Sequence, residues 1–185
     1  MSSIEGLKYP IGRFSNVVLS SSEQRLAFIE TIEACPSNLR ASARSLSDVQ
    51  LDSCYREDGW TVRQLIHHMF DSHANAYIRF RLALTEHEPK ITAYNEAAWA
   101  ELEDSFSVPV SVSLDLLDGL HVRWVATLRS MSSEDFARNL DHPEIGLGRS
   151  GYHVTALCLA RFASCGPHYV SEGANGLVNP FAGED

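Results

Sequence analysis

The feature that most constrains this chain is a long stripe of apolar side chains between Thr61 and Leu84. Val62, Leu65, Ile66, Met69, Ala76 and Phe80 recur at three- and four-residue steps, which places them on one face of a helix. Thr61 stands where an N-cap belongs. No run of alternating apolar and polar residues competes with this period, so the partners for that face have to be other helices.

Three further segments supply them. Leu26, Ile29 and Ile32, then Leu39, Ala43 and Leu46, trace a helix over 23–46, with Pro36 expected to kink or restart it. Leu117, Leu120, Trp124 and Leu128 predict a helix over 113–131, with Asp115 and Asp118 in its first turns, where the helix dipole favours acids. Val154, Leu157, Leu159 and Phe162 predict a fourth over about 151–165, stopped by Gly166-Pro167. The fold class is therefore all-α, a four-helix bundle whose last helix is atypical. Residues 1–20, interrupted by Pro10, Gly12 and the serines at 20–22, read as an N-terminal arm; 21–166 form the bundle; 167–185 read as an irregular tail. An exposed loop is expected through Asp58-Gly59, and the polar stretch 86–109 reads as a crossover with a short helical piece near 96–102, placed to cover a pocket.

At 185 residues the chain buries one core and needs no staples. Its formal charge of −9 and its lack of clustered Lys and Arg argue against nucleic-acid or anionic-membrane partners, leaving small molecules or proteins. No window reaches the length of a membrane span and no signal-like start is present, so a cytoplasmic location is expected. Cys35, Cys54, Cys158 and Cys165 form no CxxC pair and read as reduced thiols.

The chemistry-bearing run begins at Trp60, where the sequence reads G-W-T-V-R-Q-L-I-H-H-M-F-D-S-H-A-N-A-Y-I-R-F. At about 100° per residue His68 shares a flank with Ser72, Asn75 and Arg79 beside the apolar stripe, while His67 and Asp71 point elsewhere. Adjacent histidines diverge by the same angle, so only one of the pair aims at a given ion, and other ligands have to come from another helix. Hydrogen-bonded interfacial histidines are the plain alternative for His67, His68 and His73, as a satisfied core position is for His121. Asp71 and Arg79 suit either a substrate contact or a surface ion pair. Tyr94, Glu96 and Trp99 suit either a pocket lid or ordinary packing, and 101–104 is a solvated face.

Taken together, Tyr9-Pro10-Ile11-Gly12, the W-T-V-R-Q-x-x-H-H run, Asp71-Ser72-His73, Tyr77-Ile78-Arg79-Phe80 and His142-Pro143-Glu144 resemble the YfiT branch of the DinB-like superfamily, over about residues 8–146. The resemblance implies a four-helix bundle, often a homodimer, that binds a divalent metal such as zinc or nickel through three histidines at one end. The metal would activate water, for hydrolysis of a small-molecule substrate, or a small thiol, as in the superfamily's thiol S-transferases. The family's first ligand, the second histidine of the pair, carries over to His68.

The other two family ligands lie in a Y-x-W-H-x-x-x-H-x-x-H pattern of the last helix, which this sequence lacks. Leu157 to His168 stands there instead; Cys165 and His168 are substitute donors only if Gly166-Pro167 tolerates helical spacing between them. A reading-frame shift after about Gly146 would account for the gap. With wobble letters left open, the codons for Cys158 to Tyr169 read one letter on as A-W-H-G-S-R-H-V-A-H-I, and those for Ala174 to Val178 as R-M-G-W, which resembles the family's ending. A metal-dependent hydrolase or thiol S-transferase and a metal-free binding or dimerisation module both follow from these residues.

Overall fold

The computed structural model describes residues 21–54 and 58–141. Three long helices organise them: α1 (Ser22–Ala43), α3 (Val62–Thr85) and α6 (Val110–Ser130). Shorter turns join these: α2 (Asp48–Leu51), α4 (Glu96–Ala100), α5 (Asp104–Ser107) and α7 (Ser133–Phe136). Among the described residues the only β pairing is two isolated bridges, Cys54 with Thr61 and Lys90 with Asp141. The fourth helix expected over 151–165, the arm, the tail and His142 lie outside the described residues.

The starts are written in the sequence. Ser21 with Gln24, Ser47 with Gln50, Thr61 with Gln64 and Ser132 with Asp135 each form a reciprocal capping box, which satisfies amides that the first helical turn leaves open. The α3 stripe is buried throughout: Val62, Leu65, Ile66, Met69, Ala76 and Phe80 are each at most 8% exposed. Of the α1 stripe, Ile29, Ile32, Leu39 and Ala43 are buried, but Leu26 is 56% exposed and belongs to the outer face.

α6 packs closely against both α1 and α3, and α1 and α3 meet through their buried side chains. One half of the core joins Ile29, Ile32, Phe80, Trp124 and Leu128; the other joins Cys35, Leu39, Ile66, Met69 and Leu117. Asp115 and Asp118 do not cap α6, which begins at Val110 after Pro109; both pair with Arg40 of α1 and tie the two helices on the outside. The region expected to be loop before Gly59 contains α2, and the crossover holds α5 in addition to the expected α4.

Pro36 neither ends nor restarts α1. A proline inside a helix withholds the N–H that would bond four residues back, so the carbonyl of Ile32 loses its helical donor. His121 of α6 replaces it, its Nδ1 lying 2.7 Å from that oxygen.

Candidate functional site

Three histidines of α3 meet three environments. His67 is buried and fully engaged: its Nε2 lies 3.1 Å from the Val108 carbonyl and its Nδ1 2.7 Å from the Ser113 hydroxyl. A carbonyl only accepts, so Nε2 carries the proton and Nδ1 accepts from Ser113. Burial holds its pKa below the ordinary histidine value, against the opposing pull of Val108 and Asp104. His67 thus fastens α3 to the start of α6 and is not placed to bind an ion.

His68 is half-buried on the neighbouring flank, its ring edge-on to Trp60 with centroids 4.7 Å apart. Ser72, Asn75 and Arg79 follow it along that flank, as helical spacing requires. Tyr94 reaches the same region from the crossover and stacks obliquely on Trp99, 4.5 Å between centroids. Burial, reinforced by Glu96 and Asp71 and opposed by Ser72 and Arg79, pushes the Tyr94 phenol up to about 12. It therefore stays a neutral O–H donor across the physiological range. Asp71 is also held above its usual range, first by burial and then by Asp104. Arg79 reaches the Thr92 carbonyl at 3.4 Å, tying the flank to the crossover. The polar run 101–104 is exposed, although Glu101 accepts from Gln64 at 3.2 Å.

His73 turns inward and is fully buried. Its Nδ1 lies 2.6 Å from Nε2 of His121, whose own Nδ1 points at Ile32. The proton positions follow: His121 must give its Nδ1–H to the carbonyl, its Nε2 keeps a lone pair, and His73 donates Nδ1–H to it. Burial lowers both pKa values, that of His73 strongly, where His121 and His68 add to the effect. Trp124 meets both rings edge-on, at 6.0 and 5.7 Å.

Cys35 of α1 completes this inner group: one ligand atom from each of Cys35, His73 and His121 falls within 4.8 Å of the others. Sequence reasoning placed these residues singly, Cys35 as a reduced thiol, His73 as a hydrogen-bonded interfacial histidine and His121 as a satisfied core one, and missed their convergence, because each comes from a different helix. The readable sign was Pro36, which leaves an unsatisfied carbonyl facing a helix that carries a histidine on its apolar face.

Among the described residues no second side-chain donor joins His68 in a group of three. The described residues thus do not by themselves assemble around His68 the three or four donors that a zinc-type centre needs. Cys165 and His168 lie outside the described residues.

These helices, with a histidine pair opening the long α3, define a class, and a family model agrees: residues 31–162 match the DinB superfamily, to which this chain belongs. A Bacillus pumilus protein named "Putative metal-dependent hydrolase" is 50% identical over 151 residues, covering 82% of this chain and 86% of that one. "Putative metal-dependent hydrolase YfiT" of Bacillus subtilis is 46% identical over 138 residues, 75% of this chain and 78% of its own. The solved structure of Bacillus subtilis YfiT, described as a probable metal-dependent hydrolase with an unusual four-helix bundle topology, superposes with a TM-score of 0.84 at 38% identity, covering 93% of this chain and 95% of that one. The fold is the DinB-like four-helix bundle read from the sequence. No helix among the described residues is long and apolar enough to cross a membrane.

Proposed function

We propose that this protein is a metal-dependent hydrolase of the DinB type, built around His68 and acting on a small-molecule substrate, with a thiol as the alternative nucleophile. The observation that carries the reading is the polar flank His68-Ser72-Asn75-Arg79, beside the apolar stripe of α3, faced by Tyr94 and bordered by Asp71, in a chain so similar to named hydrolases. A divalent ion, zinc or nickel, supplies Lewis acidity and a deprotonated nucleophile near neutral pH when bound. The chain's own contribution is positional. Tyr94 offers a neutral hydroxyl to an oxygen that gains negative charge, Arg79 adds a fixed positive charge, and Trp60 with Trp99 limits water at the edges.

We assign the two ligands that His68 lacks to the segment after about Gly146, in the alternate reading frame that the residues there allow. Homodimerisation and a cytoplasmic setting belong to the same reading, the first tested by sedimentation. The gene's nucleotides test the frame: wobble letters that break W-H-x-x-x-H in the alternate frame would overturn it. For the function, the frame-restored chain carrying Cys35→Ala is expected to hold one equivalent of zinc or nickel by elemental analysis. His68→Ala should abolish that binding and hydrolysis together, at a stability cost below about 1 kcal/mol in the metal-free protein. Retention of the full equivalent after His68→Ala would show that His68 is not a ligand.

A further inference from the structure

The inner group of Cys35, His73 and His121 has no part in the chemistry assigned to His68, and its composition is unusual for a bundle core. A thiol and two imidazoles, 4%, 0% and 2% exposed, come together where the three long helices meet. We propose that this group is a second metal centre, distinct from His68, which takes a cuprous ion in three-coordinate sulfur-nitrogen-nitrogen ligation.

Four observations carry the assignment. The first is donor chemistry: thiolate selects soft ions, and imidazole binds copper well. The second is preorganisation. The Nδ1–H of His121 is held by Ile32 at 2.7 Å, which fixes its Nε2 as the lone-pair nitrogen and gives it the outer hydrogen bond that metal-bound histidines carry. Burial keeps both imidazoles neutral, the form that ligates.

The third is charge. A monovalent ion with one thiolate and two neutral imidazoles has no net charge, whereas a divalent ion would leave one positive charge against Trp124 and the surrounding core. An uncompensated buried charge costs several kcal/mol, on the order of the whole net stability of a small domain. The fourth is ligand number. Among the described residues no fourth His, Cys, Asp or Glu joins the group, and three donors complete a cuprous site, whereas zinc on three protein ligands keeps a fourth, water-filled position that a group at most 4% exposed does not favour.

Entry and proton balance follow from the same geometry. A cleft of about 350 Å³ between α1 and α6 has His121 in its wall, with Glu33 and Asp118 also lining it, each paired to an arginine (Arg129 and Arg40). The ion takes the place of the proton that now lies between the imidazoles. With metal–nitrogen bonds of about 2.0 Å at trigonal angles the two nitrogens stand roughly 3.5 Å apart, so the rings must part by about 1 Å from their present 2.6 Å. Cys35 loses its thiol proton to solvent as the copper–sulfur bond forms, and His73 moves its proton from Nδ1 to Nε2. One proton is released per ion and no oxidation state changes.

The test uses the full chain with Cys54, Cys158 and Cys165 replaced by serine, so that only Cys35 offers a thiol. Cuprous ion is supplied anaerobically from a coloured chelator complex. The protein is expected to withdraw one equivalent, release one proton, and show one sulfur and two nitrogen neighbours by X-ray absorption. Cys35→Ala and His121→Gln should each weaken binding by about 100-fold or more, while His68→Ala leaves it unchanged. Circular dichroism checks that each variant is folded, and if His121→Gln is not, Cys35→Ala decides alone. A folded Cys35→Ala protein that still withdraws its equivalent, or a folded parent that takes none, overturns the proposal. Loss of copper on His68→Ala would show that the two centres are not distinct.

Discussion

His67 and His73 sit on the same helix, both buried and both neutral, yet they are held in opposite ways. His67 is fixed by two neutral groups of one short stretch, Val108 and Ser113. His73 is fixed by another base, His121, whose own orientation depends on a carbonyl of α1 that Pro36 has left without a donor. The proton on His67 is thus settled locally, where α6 begins, and the proton on His73 is settled by a proline on another helix. A polar group in a core need not answer to its nearest neighbours alone.

The largest effect should separate the two arrangements. His121→Ala opens a cavity and strands both the Ile32 carbonyl and the His73 Nδ1–H, so a loss of about 3–5 kcal/mol in urea unfolding is expected. His67→Ala strands the buried Ser113 hydroxyl, which can turn to another acceptor, and the half-buried Val108 carbonyl, and about 1–2 kcal/mol is expected. Equal losses would break the comparison.

Acid sharpens it next. His67, His73 and His121 are all held below their ordinary value of 6.5, so below that pH the unfolded chain binds protons that the folded chain refuses. Their contribution is complete above about pH 6.5 and falls with pH, by up to about 1.4 kcal/mol per unit for each histidine still neutral in the fold. Asp71, held above its usual range, works in the opposite sense, but nearer the carboxylate range. Unfolding measured between pH 7.5 and 5.5, roughly one unit either side of 6.5, should lose one histidine's share of the slope in His67→Gln. In His121→Gln the slope should change by more than one share, because His73 loses its partner. Identical slopes would show the inner pair to be uncoupled.

Pro36→Ala restores the missing amide and makes it compete with His121 for Ile32. Stability should move by only about 1 kcal/mol, regained helix bonding offsetting the lost ring packing, while the nitrogen-15 shifts of His121 report a rising Nε2–H tautomer. Unchanged shifts would deny Pro36 its role. Gly119→Ala is the control with the smallest effect: it is on α6 near His121, but a Cβ there meets nothing within 4 Å, so about 0.5–1 kcal/mol of added stability with no change in pH slope is expected.

Periodic elements were legible in the sequence because their signals are local. The α3 stripe and its Thr61 cap predicted Val62–Thr85 almost to the residue. Leu26 was misassigned to the core because three-residue spacing fits either edge of an apolar stripe, and only the packing of α6 decides between them. α2 escaped notice because a four-residue helix has no period to read. For the site, the divergence of His67 from His68 followed from helix geometry, but the meeting of Cys35 with His73 and His121 needed the packing of three helices, which no spacing along the chain encodes.

Gln64 has a consequence of another kind. Its amide oxygen closes the capping box of α3 on the Thr61 amide at 2.9 Å, and its amide nitrogen holds the Ala100 carbonyl of the crossover at 2.8 Å. One buried side chain therefore latches the crossover and starts the helix that carries the histidines. An outward swing of the crossover at this point breaks a bond to the same side chain that caps the first turn of α3, so the two openings are expected to be coupled. Backbone amides of Thr61 and Gln64 should exchange with deuterium in step with those of the 100–105 turn, as a single opening event.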